Sequence, residues 1–233
     1  MNRKIMHNAS SPLQESWFAV DFPRHAPARG AGASSVPIRV ALMRTGHAML
    51  WDRRIQPFIA ARADRADRRW SWTALRTFFP LAQFVHGRRC VAHCVFVRNN
   101  LGQAVPAAMS LLIETYPHLV QGGPLYATFA WFLSTAPDAA LAALGVVVTP
   151  SLGRTCIDIA ITSSFNAGHD GRIGLHAAPA GGERLIRFYE EHCGLLRLAA
   201  TAALPVSRVN DGRFFYADNA GAARFAAEFT PWR

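Results

Sequence analysis

Lysine is all but missing from this 233-residue chain: Lys4 is the only one, so arginine supplies nearly all of its 25 basic residues, against 15 acidic ones. The net charge of +10 favours anionic partners in general, among them nucleic acid, an acidic protein surface or the phosphates of a cofactor, and does not choose between them. With so few carboxylates, a large acidic acceptor site is not expected. No apolar run approaches the roughly 18 residues that would span a bilayer, so no membrane association is expected. The segment 1–7 carries positive charge without a following apolar stretch and does not read as a secretory signal. Cysteine is sparse as well. Cys90, Cys94, Cys156 and Cys193 form no Cys-x-x-Cys framework, which suits free thiols in a reducing, cytoplasmic setting. No internal repeat is visible.

What is present suffices for a core, since 51% of the residues are apolar, and the length suits one domain with a tail. Residues 1–36 are rich in Pro, Ser, Ala, Gly and Arg and read as a flexible tail with one docked segment near Trp17-Phe18-Ala19-Val20. Residues 37–233 are the expected domain. Residues 36–43 alternate like a first strand. From about 47 to 83 the pattern is helical. Pro57 is tolerable there only close to a helix start, and Ser71 or Thr73 caps a new helix after a break at Trp70. Residues 90–98 and 105–114 alternate as two strands around the turn 99–103. The aromatic stretch 115–138 is placed as a loop or strand beside a cleft, and 139–144 as a helix.

The most informative region follows. Val146-Val147-Val148, closed by Thr149-Pro150, suits a strand buried on both faces. Ser151-Leu152-Gly153-Arg154-Thr155 then turns into a helix over about 155–166, and such a turn presents free backbone N–H groups to a phosphate. Ile173-Gly174-Leu175-His176-Ala177 reads as a second strand. It leads through Gly181-Gly182 into a helix ending Phe188-Tyr189-Glu190-Glu191-His192-Cys193-Gly194-Leu195. Residues 204–206 and 213–216 are expected to close the sheet around Asn210-Asp211-Gly212, with a last helix over 220–229.

This order resembles the GCN5-related N-acetyltransferase family. In that family a strand ends near a Val-x-Pro, and an Arg/Gln-x-x-Gly-x-Gly/Ala turn cradles the pyrophosphate of acetyl-coenzyme A. A later strand precedes a helix reading Phe-Tyr-Glu-x-x-Gly-Phe. Here Val148-Thr149-Pro150 matches the first element and Gly153-Arg154-Thr155 is an imperfect second, with Pro150 in place of the Arg or Gln and Thr155 in place of the second glycine. Residues 188–195 match the third, with one extra residue before the glycine. The match covers roughly the last two-thirds of the chain, and only the Phe-Tyr-Glu helix is specific.

The resemblance implies an α/β fold with a central mixed β-sheet flanked by helices. Strands 146–148 and 173–177 would lie side by side, parallel and splayed at their C-terminal ends. It implies acetyl-CoA as acyl donor, an amine-bearing acceptor, and transfer of an acetyl or other acyl group between them. The contrasting expectation is a non-catalytic binding module that has lost coenzyme A. For the coenzyme the candidates are Val148, through its backbone, Leu152, and the turn Gly153, Arg154 and Thr155, with the Arg154 side chain adding a charge-assisted bond. Tyr189 is the candidate acid for the leaving thiolate, against the plain alternative that it only packs its helix on the sheet. Glu114 and His176 are candidate bases, against the alternative of ordinary strand-end residues.

Two other chemistries are set aside. His86, Cys90, His93 and Cys94 invite a zinc reading, yet Cys90 and Cys94 stand about 13 Å apart at the strand rise, too far to share a tetrahedral ion. The arginines of 52–69 are interleaved with Asp52, Asp64 and Asp67, which suits a solvated surface better than a nucleic-acid stripe.

Overall fold

A computed structural model describes residues 21–29, 35–123, 126–205 and 209–233, with the backbone alone for 80–82 and 84–86. In chain order it places a hairpin, β1 (His25–Pro27) and β2 (Ser35–Pro37), then the strand β3 (Arg39–Leu42). The helices α1 (Thr45–Arg54), α2 (Gln56–Ala60) and α3 (Trp72–His86) follow. Pro57 sits in the first turn of α2, where its missing N–H costs nothing. Helix α3 is capped twice: the Ser71 hydroxyl accepts from the Ala74 amide, and the Asp52 carboxylate accepts from the Trp72 and Thr73 amides at 2.9 Å each. The second cap ties α1 to α3.

The strands β4 (Cys90–Arg98) and β5 (Ala104–Pro117) form a hairpin whose turn is held by Asn99, its side-chain oxygen accepting from the Leu101 and Gln103 amides. β6 (Tyr126–Thr135), α4 (Asp138–Ala143), α5 (Leu152–Asn166) and β7 (Ile173–His176) come next. α6 (Gly182–Arg187) runs into a π-helical turn, Phe188–His192, before β8 (Leu196–Arg197), β9 (Phe214–Ala217) and α7 (Asn219–Phe229). The sheet is seven-stranded in the order β3-β4-β5-β6-β7-β9-β8, and β6–β7 is its parallel pair. The fold is therefore α/β, a mixed sheet flanked by helices. α5 packs across β5 and β6 and is buried almost all round, which is why its sequence shows little one-sided periodicity.

Several expectations change. Val146-Val147-Val148 is no strand: Val146 packs into the core, but Val147 is 81% exposed. The chain beyond this run pairs instead with the N-terminal segment, the Arg29 amide donating to the Thr149 carbonyl at 2.8 Å and the Ser151 amide to Pro27 at 2.7 Å. The parallel partner of β7 is β6, inside the aromatic stretch. The expected first strand is split into β2 and β3 around Ile38. Within 1–36, the described residues pair as β1 and β2 and bury Ala26 in the main core; the segment around Trp17 lies outside the described residues. β9 closes against β8, not 204–206, and Val206 too lies outside the described residues.

Candidate functional site

β6 and β7 meet over three residues only. Thr128, Phe129 and Ala130 pair with Ile173, Gly174 and Leu175, and then the strands part. The parting has a local cause in β6. Leu112 of β5 faces Ala130 and Leu111 faces Phe132, so Trp131 is an extra residue, a β-bulge that bends the strand. Residues 132–135 go on pairing with β5, while β7 stops at His176. The edge of β6 turned toward β7 thus borders a cavity of about 760 Å³. Its other walls come from the α2–α3 loop, the start of α5, the end of β7 and the α6 segment.

The start of α5 brings Ser151 and Gly153 to the cavity. Ser151 makes no side-chain cap, so the first-turn amides of Leu152, Gly153 and Arg154 lack the usual capping oxygen at the positive end of a 15-residue helix. Gly153 is a glycine for a packing reason. A Cβ there would come within 2.7 Å of the Phe188 ring. Thr155 lies two residues further into the helix than Gly153, fully buried, its hydroxyl donating to the Ser151 carbonyl at 3.2 Å. Leu152 is a core residue. The Arg154 side chain turns away from the cavity. It pairs with Glu228 and lies over the Phe225 ring at 4.9 Å, on α7. Val148 is in the loop before α5 and is not among the residues that line the cavity.

Phe188 and Tyr189 both line the cavity. The π-helical turn beginning at Phe188 inserts one residue into the helix, with the Cys193 amide reaching back to the Phe188 carbonyl at 3.1 Å. This accounts for the residue in excess before Gly194. Tyr189 is buried, 7% exposed, and packs on Phe215 at 5.5 Å between ring centres. Burial pushes its phenol above the ordinary value, reinforced by the neighbouring Cys193, Cys156 and Asp67, so the proton stays on the oxygen near neutral pH.

His176, at the end of β7, also lines the cavity. Its Nε2 lies 3.0 Å from one carboxylate oxygen of Asp211 and 3.1 Å from the other, and its ring leans on Phe214. A carboxylate accepts only, which places the ring proton on Nε2 and leaves Nδ1 as the basic nitrogen. Partial burial works against charge on Asp211, but the bond to His176 and the Arg213 amide hold its carboxyl below the ordinary value. Asp211 was read only as a turn residue, and nothing in the local pattern signals its partner. Glu114 is placed at the opposite end of the sheet. It ion-pairs with Arg89 at 2.8 Å, and burial raises its carboxyl despite that arginine. It is not brought together with Tyr189 and His176.

The wall from the α2–α3 loop is fixed by Asp67. Arg65 holds its carboxylate with two bonds of 2.8 and 2.6 Å and donates to the Thr135 carbonyl, while the Ser134 hydroxyl donates to the same carboxylate. At the mouth, Asp64 pairs with Arg62 at 2.7 Å and reaches Arg184 of α6 at 3.7 Å. The arginines that line the cavity are thus each paired with an aspartate.

No protein-family model matches the sequence, and no curated protein does. Among solved structures, a chimera of the Vibrio cholerae spermidine N-acetyltransferase SpeG and hSSAT is similar over 80% of this chain and 98% of its own, at 15% identity and a TM-score of 0.48. The toxin AtaT bound to the C-terminus of the antitoxin AtaR and acetyl-CoA is similar over 83% of this chain and 98% of its own, at 11% identity and a TM-score of 0.45. At such values no substrate or residue role transfers, and the fold assignment stands on the strand order and pairing.

Proposed function

We propose that the β6–β7 cleft transfers an acyl group, acetyl in the simplest case, from a coenzyme A thioester to an amine. The observation that carries this reading is a convergence. The edge of β6 where β7 departs, an uncapped helix start, a protonated phenol and a histidine whose Nε2 faces Asp211 all border one cavity. An extended amide-bearing arm can add to the open edge of β6 as another strand would. The amides of Leu152, Gly153 and Arg154 suit the pyrophosphate. Thr155 lies behind them in the helix, so its Cβ is no obstacle at the surface.

The coenzyme supplies an activated acyl carbon. The protein's residues do the rest. Backbone N–H groups of β6 that face away from β5, beyond its last pairing with β7, hold the carbonyl oxygen as it gains negative charge. Nδ1 of His176 takes the proton of the amine, directly or through a water, while Asp211 holds the ring and steadies its charge. The carbon–nitrogen bond forms, the carbon–sulfur bond breaks, and the departing thiolate takes the Tyr189 proton.

The alternative is a non-catalytic binding module that has lost coenzyme A. What favours it is the Phe188 ring over Gly153 and the engagement of Arg154 with α7, which leave the phosphates fewer partners. Titration with acetyl-CoA separates the two, followed by thiol release in the absence of acceptor. Binding with slow release of coenzyme A above the solution background supports acyl transfer. Binding without release counts against acyl transfer, and absence of binding supports the module that has lost the coenzyme.

A further inference from the structure

The α2–α3 side of the cleft differs from the α5–α6 side, and on the acyl-transfer reading it is where the acceptor enters. Phe58, Trp70, Trp131 and Phe132 line it, and all four are partly exposed. Trp70 meets Phe132 edge-on at 4.7 Å between ring centres, and Phe132 lies nearly parallel to Trp131 at 6.4 Å. The neighbouring Trp51 and Trp72, by contrast, are fully buried, as rings that only fill a core should be. The run Trp70–Phe132–Trp131 of half-open rings, ending at the bulge, offers flat apolar surface to a ligand.

Charge narrows the class further. Among the described residues the acidic side chains lining the cavity are Asp64, Asp67 and Asp138. Each is already paired with an arginine of the same wall or rim, at 2.7 Å to Arg62, 2.6 Å to Arg65 and 2.9 Å to Arg29. A linear chain of several ammonium groups would have to displace an arginine for each carboxylate it used. A single amine on a flat ring displaces none, because its ring covers the aromatic wall and its nitrogen points toward His176.

We propose that the acceptor is a primary amine on a short arm from an aromatic ring, not a linear polyamine. This rests on the acyl-transfer reading of the same cleft. Phenethylamine and spermidine are the probes, each titrated calorimetrically into the protein with and without coenzyme A, and each offered as acceptor in a thiol-release assay. Phenethylamine should bind, and its kcat/KM should exceed that of spermidine by about tenfold or more. Trp131→Ala should lose about tenfold in affinity for phenethylamine, and Trp131→Phe should restore most of it. Phe58→Ala, on a different element, should act in the same direction, so a folding defect in one variant does not decide the matter. Equal or better use of spermidine, or unchanged phenethylamine affinity in Trp131→Ala, overturns the substrate class and leaves acyl transfer standing. If coenzyme A neither binds nor is released, acyl transfer fails. The phenethylamine titration then judges the aromatic site alone, and absence of binding removes it.

Discussion

The two edges of β6 do different work. On one, β5 pairs with it along nearly its whole length and α5 covers both strands; on the other, β7 pairs at three residues and leaves. The first junction saturates its backbone groups and buries continuous apolar surface, which is what stability needs. The second leaves residues 132–135 of β6 without a strand partner on that side among the described residues, beside a cavity, a liability in an ordinary sheet and a resource in a binding cleft. Substitutions on the β5 side should therefore cost stability, and those on the β7 side should cost function at nearly constant stability.

The largest effect tests the β7 side. Tyr189→Phe keeps the buried ring and removes only the hydroxyl, so the melting temperature and acetyl-CoA affinity should stay close to wild type. Thioester turnover should fall about 10²–10⁴-fold if the phenol is the acid. Equal hydrolysis of acetyl-CoA by the two proteins would leave Tyr189 as packing.

The β5 side is tested by Met109→Ala. Met109 is fully buried between β4 and β6, and its truncation should cost about 2–5 kcal/mol in denaturant unfolding. The folded fraction should bind acetyl-CoA as before. A variant of normal stability that had lost the ligand would break the division between the two edges.

A pH dependence belongs to the same structural side. Asp158 is wholly buried in α5, bonded through one oxygen to Arg233 at 2.6 Å and unpartnered at the other. Burial raises its carboxyl from 3.8 to about 7 in spite of Arg233. A raised folded-state value means the contribution is fully present below pH 3.8 and is lost as pH rises through about 7. Melting temperature should therefore fall more steeply between pH 4 and pH 8 in the wild type than in Asp158→Asn; parallel curves would contradict this.

Gly153→Val is the mildest. The new side chain must push the Phe188 ring, so acetyl-CoA affinity should drop about tenfold, or roughly 1.4 kcal/mol, while the fold survives. Unchanged affinity in calorimetry would place the coenzyme away from the start of α5.

How much of this was legible in the sequence depends on the period of each segment. β4 and its turn into β5 were legible because 90–98 alternates cleanly and Asn99 and Gly102 supply the turn. α7 and the Ser71 cap carry equally local signals. β6 was legible only as loop or strand, because the bulge at Trp131 sets Trp and Phe side by side and breaks the period of two that marks a strand. The Val146-Val147-Val148 run misled for the opposite reason: three β-branched residues satisfy a strand's composition, but only tertiary pairing decides, and β6 took the place beside β7. Tyr189 and His176 were legible as types at the ends of recognisable elements. Asp211 and the aromatic wall around Trp70 were not, since they reach the cleft through long-range contacts that no local spacing encodes.

Hydrogen exchange with and without acetyl-CoA tests the central claim most directly, because it reports on the backbone of β6 itself. The account predicts new protection at the amides of 132–135 that face away from β5 and at 152–154, with 105–112 of β5 unchanged because its bonds are already made. Protection confined to other segments, or none at saturating ligand, would contradict a coenzyme held on the open edge of β6.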